Sequence, residues 1–212
     1  RSAAIAVAAL LGYAIASVFR VSWGFFLATA VAVPLGLLLG WKARLYRAFN
    51  PLIQVMRPIS PIAWIPFSIL LLRNDDQRSI FLIFISTFFP VVVSTTAAVR
   101  NIPEIYARSA ANFGCRGLRL VEKVILPAAL PQILVGLRIA VGIAWLVVVA
   151  AEMIAVESGL GFLIIDARNA GGRYDVIVAA MITIGLIGLV LDTLIRRVER
   201  FRAVRWGYAQ RG

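Results

Sequence analysis

What chemistry this chain can perform is narrowed first by its reactive residues. It contains no histidine and one cysteine, Cys115. Histidine acid–base catalysis, Ser–His nucleophiles and His-ligated zinc are therefore closed to it, and no intrachain disulfide or thiolate cluster can form. No G-x-x-x-x-G-K-S/T phosphate loop occurs, so nucleotide hydrolysis by that route is closed as well. The carboxylates are scattered along the chain, which argues against an enzyme. The unusual groups are Arg138, Glu152 and Asp192, which stand inside or at the ends of long apolar runs. Ionisable residues in such runs are costly in lipid and mark pathways or pairs.

The elements that must position these groups follow from composition. The 212 residues are 61% hydrophobic and only 15% charged, with a mean hydropathy of +0.91. A soluble domain is about half apolar and about a quarter charged, so an all-α integral membrane protein is expected. Residues 21–41 and 79–99 are charge-free and long enough to cross a bilayer, with Pro34 and Pro90 inside them. Residues 128–155 and 176–195 form two more candidate spans. A fifth, at about 55–72, is crowded by Pro51, Pro58, Pro61 and Pro66 and reads as a broken helix or as a re-entrant or surface segment. Residues 1–20 are apolar but bracketed by Arg1 and Arg20, so a span and a peripheral helix both remain open. A chain that starts with Arg1 is expected of a truncated product.

Basic residues set orientation. Segments 42–57, 100–123 and 196–211 hold most of the 22 Lys and Arg, whereas 73–78 and 156–175 are balanced or slightly acidic. The two kinds of loop alternate. This places the basic segments and the 196–212 tail in the cytoplasm, and it accounts for the +12 net charge without a nucleic-acid partner.

The loop at 100–127 is the richest. Asn101 and Glu104 have capping-box spacing, so a short helix is expected at about 102–112. Gly114 stops it, a second short helix covers about 117–125, and Leu126–Pro127 starts the next span. Such a pair either docks a partner or lies in the lipid headgroup zone. The stretch ARSAANFGCRGLRLVEKVILPAALP (107–131) resembles the EAA loop of inner-membrane permeases in binding-protein-dependent ABC importers. Measured from Gly114, the motif's first positions fall on Arg108, Ser109 and Ala110, and its last on Val124, Ile125, Leu126 and Pro127. Arg108 stands where the motif has Glu. The segments 136–155, 159–168 and 184–206 resemble the nitrate/sulfonate/taurine branch, as do 19–28, 33–40 and 52–66, with 52–66 closer to nitrate and bicarbonate permeases.

The resemblance implies a five-transmembrane-helix permease core of the MetI-like type I importer fold, with permease domain 21–195 and cytoplasmic coupling loop 100–127. Ala107, Arg108, Ser109, Ala110, Ala111, Gly114, Arg116, Arg119, Val124, Leu126 and Pro127 would couple to an ATPase. ATP and Mg would sit on that partner, with no cofactor in this chain. The implied partners are cytoplasmic ATP-binding subunits, a second permease chain in a homodimer, a periplasmic or lipid-anchored binding protein, and lipid of a bacterial inner membrane. The cargo would be a small anion: nitrate, nitrite, bicarbonate, taurine or an alkanesulfonate. Trp64, Pro66, Arg138 and Glu152 are the candidates for the translocation path. Arg138 either offers positive potential to an anion or snorkels to the interface. Glu152 would repel an anion, so a hydrogen-bonding or gating role suits it better. The i, i+4 spacing of Asp192 and Arg196 suggests a local pair. The competing class is a secondary transporter or channel without an ATPase.

Overall fold

A computed structural model describes residues 2–199; Arg1 and residues 200–212, which include most of the expected basic tail, lie outside the described residues. Every regular element among the described residues is helical. In chain order these are α1 (Ser2–Trp41), α2 (Ala43–Met56), a 3-10 turn (Pro61–Trp64), α3 (Ile65–Leu71), α4 (Asp75–Arg100), α5 (Glu104–Asn112), α6 (Leu118–Leu120), a π turn (Val121–Ile125), α7 (Leu126–Ile154), α8 (Leu160–Asn169) and α9 (Tyr174–Glu199). Four helical stretches are long and apolar enough to cross a membrane: Leu10–Trp41, Asp75–Arg100, Leu118–Ile154 and Tyr174–Arg197. A fifth span exists if the bent pair Ala43–Met56 and Pro61–Leu71 counts as one.

Four local features differ from the sequence expectation. The boundary at residue 20 is absent, because α1 is one helix of 40 residues. Arg20 does not mark a membrane surface between two segments; it is buried, and acidic partners distant in sequence neutralise it. The basic stretch 42–57 is largely the helix α2 rather than an open loop, and the pair it forms with the segment after Ser60 bends by 86°. Proline explains the bend. Ser60 precedes Pro61 and is held extended at φ −60°, ψ 132°, because the prolyl ring disfavours the helical region for its neighbour. The expected break between 117–125 and the next span is also missing: Leu118–Ile154 runs on as one helical stretch, with a π turn just before Pro127, where the ring removes a ladder donor. Finally, 156–175 contains the helix α8, which the sequence reading treated as loop.

The chain divides into two compact units. The first comprises, among the described residues, 2–28, 59–87 and 141–192. Its core joins Ala14, Val21, Ile83, Ala144, Trp145, Val148 and Leu160, and the Trp145 indole donates to the Ile184 carbonyl at 3.1 Å. A neighbouring cluster packs Trp64 and Phe81 against Ile65, Leu82, Ala151, Ala155 and Val156. The second unit comprises, among the described residues, 29–58, 88–140 and 193–199, with a core of Ala98, Val99, Ile125, Ala129 and Ile133.

Small residues allow close approach in both. A Cβ added to Gly24 would lie 2.7 Å from Ile83 side-chain atoms in the first unit. One added to Gly36 would lie 2.6 Å from Thr95 Cβ in the second. The Gly36-x-x-x-Gly40 spacing thus serves packing of α1 on α4 within one chain. Most of α9 keeps its apolar side chains exposed, including Met181, Ile182, Leu186 and Leu189, as a lipid-facing helix must.

Candidate functional site

The loop between α4 and α7 begins with α5. Pro103 is its N-cap and no side chain caps it, so Asn101 does not play the capping role its spacing suggested. Glu104 is drawn instead to Arg108 one turn on, an ion pair between two side chains that are both 78% exposed. Such a pair contributes about 0.3–0.5 kcal/mol at most, so it orients the helix surface rather than holding the fold.

The C-terminal end of α5 is closed by backbone alone. Gly114 takes φ +77°; its N–H bonds to the Ala111 carbonyl at 3.0 Å and the Cys115 N–H to the Ala110 carbonyl at 2.9 Å. This is a Schellman closure, which needs a left-handed residue at the position Gly114 occupies. Gly117 adds a second left-handed residue at φ +64° directly before α6. The chain therefore turns at two glycines, where the sequence reading relied on Gly114 alone.

This geometry sorts the loop residues. Ala107, Ala110, Ala111, Val124 and Leu126 are half-buried, whereas Arg108, Ser109, Gly114, Arg116, Arg119 and Pro127 are exposed. Leu120, Val121 and Leu126 anchor the far side on the Ala98–Ile133 core. Phe113, just after α5, is 91% exposed, and Ile105 and Leu118 of the same loop are exposed too. The Phe113 ring is thus held in the open between α5 and the two left-handed glycines.

The residues expected in a pathway are placed differently. Trp64 is half-buried and meets Phe67 edge-to-face at 5.8 Å, and Pro66 is exposed. Arg138 is half-buried in the second unit. Glu152 is fully buried in the first unit. It accepts hydrogen bonds from Ser17 Oγ at 2.8 Å, Arg20 Nη1 at 3.0 Å and the Gly161 N–H at 3.1 Å. Arg20 also donates to Asp76 Oδ1 at 2.7 Å and to the Ser158 carbonyl at 2.8 Å. Ser17 Oγ accepts the Leu160 N–H at 3.0 Å. Glu152 thus ties α1 to α7 and to the start of α8. The sequence reading missed Ser17, Arg20, Asp76 and Ser158 as partners. The available signal was that Arg20 and Glu152 are opposite charges at the edges of separate apolar runs.

Long apolar helices and a bent helix pair define a multi-pass helical membrane protein with a short-helix loop between α4 and α7. Comparison with known proteins specifies the class. Residues 32–204 match the family described as the binding-protein-dependent transport system inner membrane component, and the chain belongs to that family. A Methanocaldococcus jannaschii protein named as an ABC transporter permease is 44% identical over 191 residues, covering 90% of this chain and 71% of that one. The nitrate import permease protein NrtB of Leptolyngbya laminosa is 40% identical over 180 residues, covering 85% and 64%. The bicarbonate transport system permease protein CmpB of Synechococcus elongatus is 38% identical over 188 residues, covering 88% and 67%. The chain thus spans about two thirds of the length of these relatives. A chain of the MetNI methionine ABC transporter in an inward-facing conformation has the same fold, with TM-score 0.77 at 18% identity over 90% of this chain and 95% of that one. The protein is a membrane permease component of the type I importer fold, not an enzyme.

Proposed function

We propose that this chain is the permease subunit of an ATP-driven importer for a small planar oxyanion, nitrate or bicarbonate, working by alternating access. The observation that carries the mechanism is the loop tip. Phe113 is almost wholly exposed between a Schellman closure and a second left-handed glycine, a rigid knob at the end of a short helix. Fitted into a groove on a cytoplasmic ATPase, it passes closure of that ATPase to the helices that the loop joins, α4 and α7. ATP and Mg belong to that partner. The identity between this chain and nitrate and bicarbonate permeases supports the choice of cargo over taurine or alkanesulfonates. The excess of Lys and Arg in these segments supports a cytoplasmic position for the 100–127 loop and the C-terminal tail. A binding protein delivers the anion on the other side, and a second copy of this chain completes the pathway.

The test is purification of the tagged chain from its native membrane in mild detergent, mass spectrometry of what accompanies it, and uptake by the reconstituted complex. A near-stoichiometric ATP-binding subunit, together with ATP-dependent uptake of nitrate or bicarbonate, is the expected result. Gly114→Trp should leave the complex assembled but separate ATP hydrolysis from uptake, because no large residue fits φ +77°. Permease alone, with uptake that survives ATP depletion and stops when an ion gradient collapses, would establish a secondary transporter instead.

A further inference from the structure

The second unit contains an open cavity of about 200 Å³ lined by residues of α1, α2 and the C-terminal half of α4, with Asn101 just beyond it. Its back wall is apolar, formed by Leu39, Ile53 and Val92 among others. The lining residues with polar side chains are Arg100, Asn50, Gln54, Asn101, Tyr46 and Thr96. No carboxylate lines it.

Arg100 lies over the Tyr46 ring, with its central carbon 4.1 Å from the ring centroid. Stacking holds the plane of the guanidinium while leaving its edge N–H groups available. Among the described residues, neither the Arg100 guanidinium nor the three carboxamides take a protein hydrogen-bond partner. The Thr96 hydroxyl donates to the Gly36 carbonyl at 3.3 Å, so it closes the wall rather than adding a donor. Near the end of α4, the Ala97 carbonyl accepts the Asn101 N–H at 3.0 Å and the Val99 carbonyl accepts the Ile102 N–H at 3.3 Å.

We infer that this cavity binds a planar monovalent oxyanion on the cytoplasmic side, the carried ion after its release. The identity of the ion rests on the function proposed above; the site itself rests on the donors. A planar guanidinium and carboxamide N–H groups match the three in-plane oxygens of nitrate or bicarbonate. The apolar back wall discriminates against tetrahedral dianions, which hold their water more tightly. Because Arg100 is exposed, binding is weak and reversible, and it rises with cytoplasmic anion.

The experiment uses the permease purified with its co-purifying subunits in nanodiscs. Nitrate labelled with ¹⁵N and bicarbonate labelled with ¹³C are titrated, and binding is read from linewidths. Saturable broadening is expected with the unaltered protein, with affinity weakened about tenfold or more in Arg100→Gln. Arg100→Lys should fall between, since it keeps the charge at the helix end and loses the planar fork. Arg47→Gln, an exposed arginine outside the cavity, should bind normally. Asn50→Leu gives a second reading from the opposite wall if Arg100→Gln assembles poorly. Unchanged binding in both Arg100→Gln and Asn50→Leu, equal loss in Arg47→Gln, or no saturable binding at all would overturn the site. ATP-driven uptake is measured on the same preparations. Intact uptake with insensitive cavity variants sinks this inference alone, whereas binding without any uptake sinks the importer reading.

Discussion

Replacing Arg20 by methionine removes the cation from the polar cluster while keeping most of the side chain's length. The side chain of Arg20 is 3% exposed, that of Glu152 0% and that of Asp76 57%. These exposures decide which of the two ion pairs matters. The Asp76 pair sits at high dielectric and contributes about 0–1 kcal/mol despite its 2.7 Å distance. Loss of the Glu152 pair leaves a buried carboxylate supported only by Ser17 and the Gly161 N–H, and breaking a buried pair on one side costs about 3–5 kcal/mol. Arg20→Met should therefore destabilise by about 3–5 kcal/mol and Asp76→Asn by less than about 1 kcal/mol. Removing both charges, as Arg20→Met with Glu152→Leu, should recover part of the loss, because no unpaired charge then remains in the interior. Chemical or detergent-titrated unfolding of the purified permease, read by the fraction folded, measures the unaltered protein, these three variants and Glu152→Leu alone. If Asp76→Asn costs as much as Arg20→Met, or if the double variant is as damaged as the two single changes summed, the cluster is not held by the Arg20–Glu152 pair and the reasoning fails.

Three further outcomes follow from the same geometry. Gly159 sits at φ +105° with the Glu152 carboxylate where a Cβ would go, so Gly159→Ala should lower the yield of monodisperse protein by size-exclusion chromatography. The backbone strain alone costs about 1–3 kcal/mol, whereas Gly142→Ala, with open space at its Cβ, should be harmless. Gly36→Ala pushes a methyl group to within 2.6 Å of Thr95 Cβ and should cost about 1–3 kcal/mol by overpacking, seen as a lower thermal midpoint in detergent. Phe113→Ser should change permease stability by no more than about 0.5 kcal/mol, since the ring is exposed, while weakening retention of the cytoplasmic partner in a pull-down.

Several features were legible in the residues themselves. Long apolar runs must be helical in lipid, because the backbone has no other partner there, so all-α membrane architecture follows from composition. Pro58 and Pro61 announced a break, and the chain does bend near them, by 86°. Gly114 announced a helix stop because a left-handed residue ends helices most cheaply when it has no Cβ. The spacing of the loop motif identified the family before any coordinate was needed.

What stayed hidden depends on contacts far apart in the chain. Arg20 reads as the end of a membrane segment until Glu152, 132 positions away, is seen to neutralise it. Gly36-x-x-x-Gly40 gives no clue whether it packs against the same chain or another; only the fold presses it onto α4. The helix α8 lacks a strong local signal and forms where Ser17 and Glu152 accept its first N–H groups. Arg100 reads as one more orienting charge in a basic loop, and its stacking on Tyr46 at the mouth of a cavity exists only once α2 folds back beside α4. Periodicity and composition act over one or two turns, so they determine which segments are helices and which lie in lipid. The pairing of charges and the shape of cavities depend on which helices meet, and that is decided by tertiary structure.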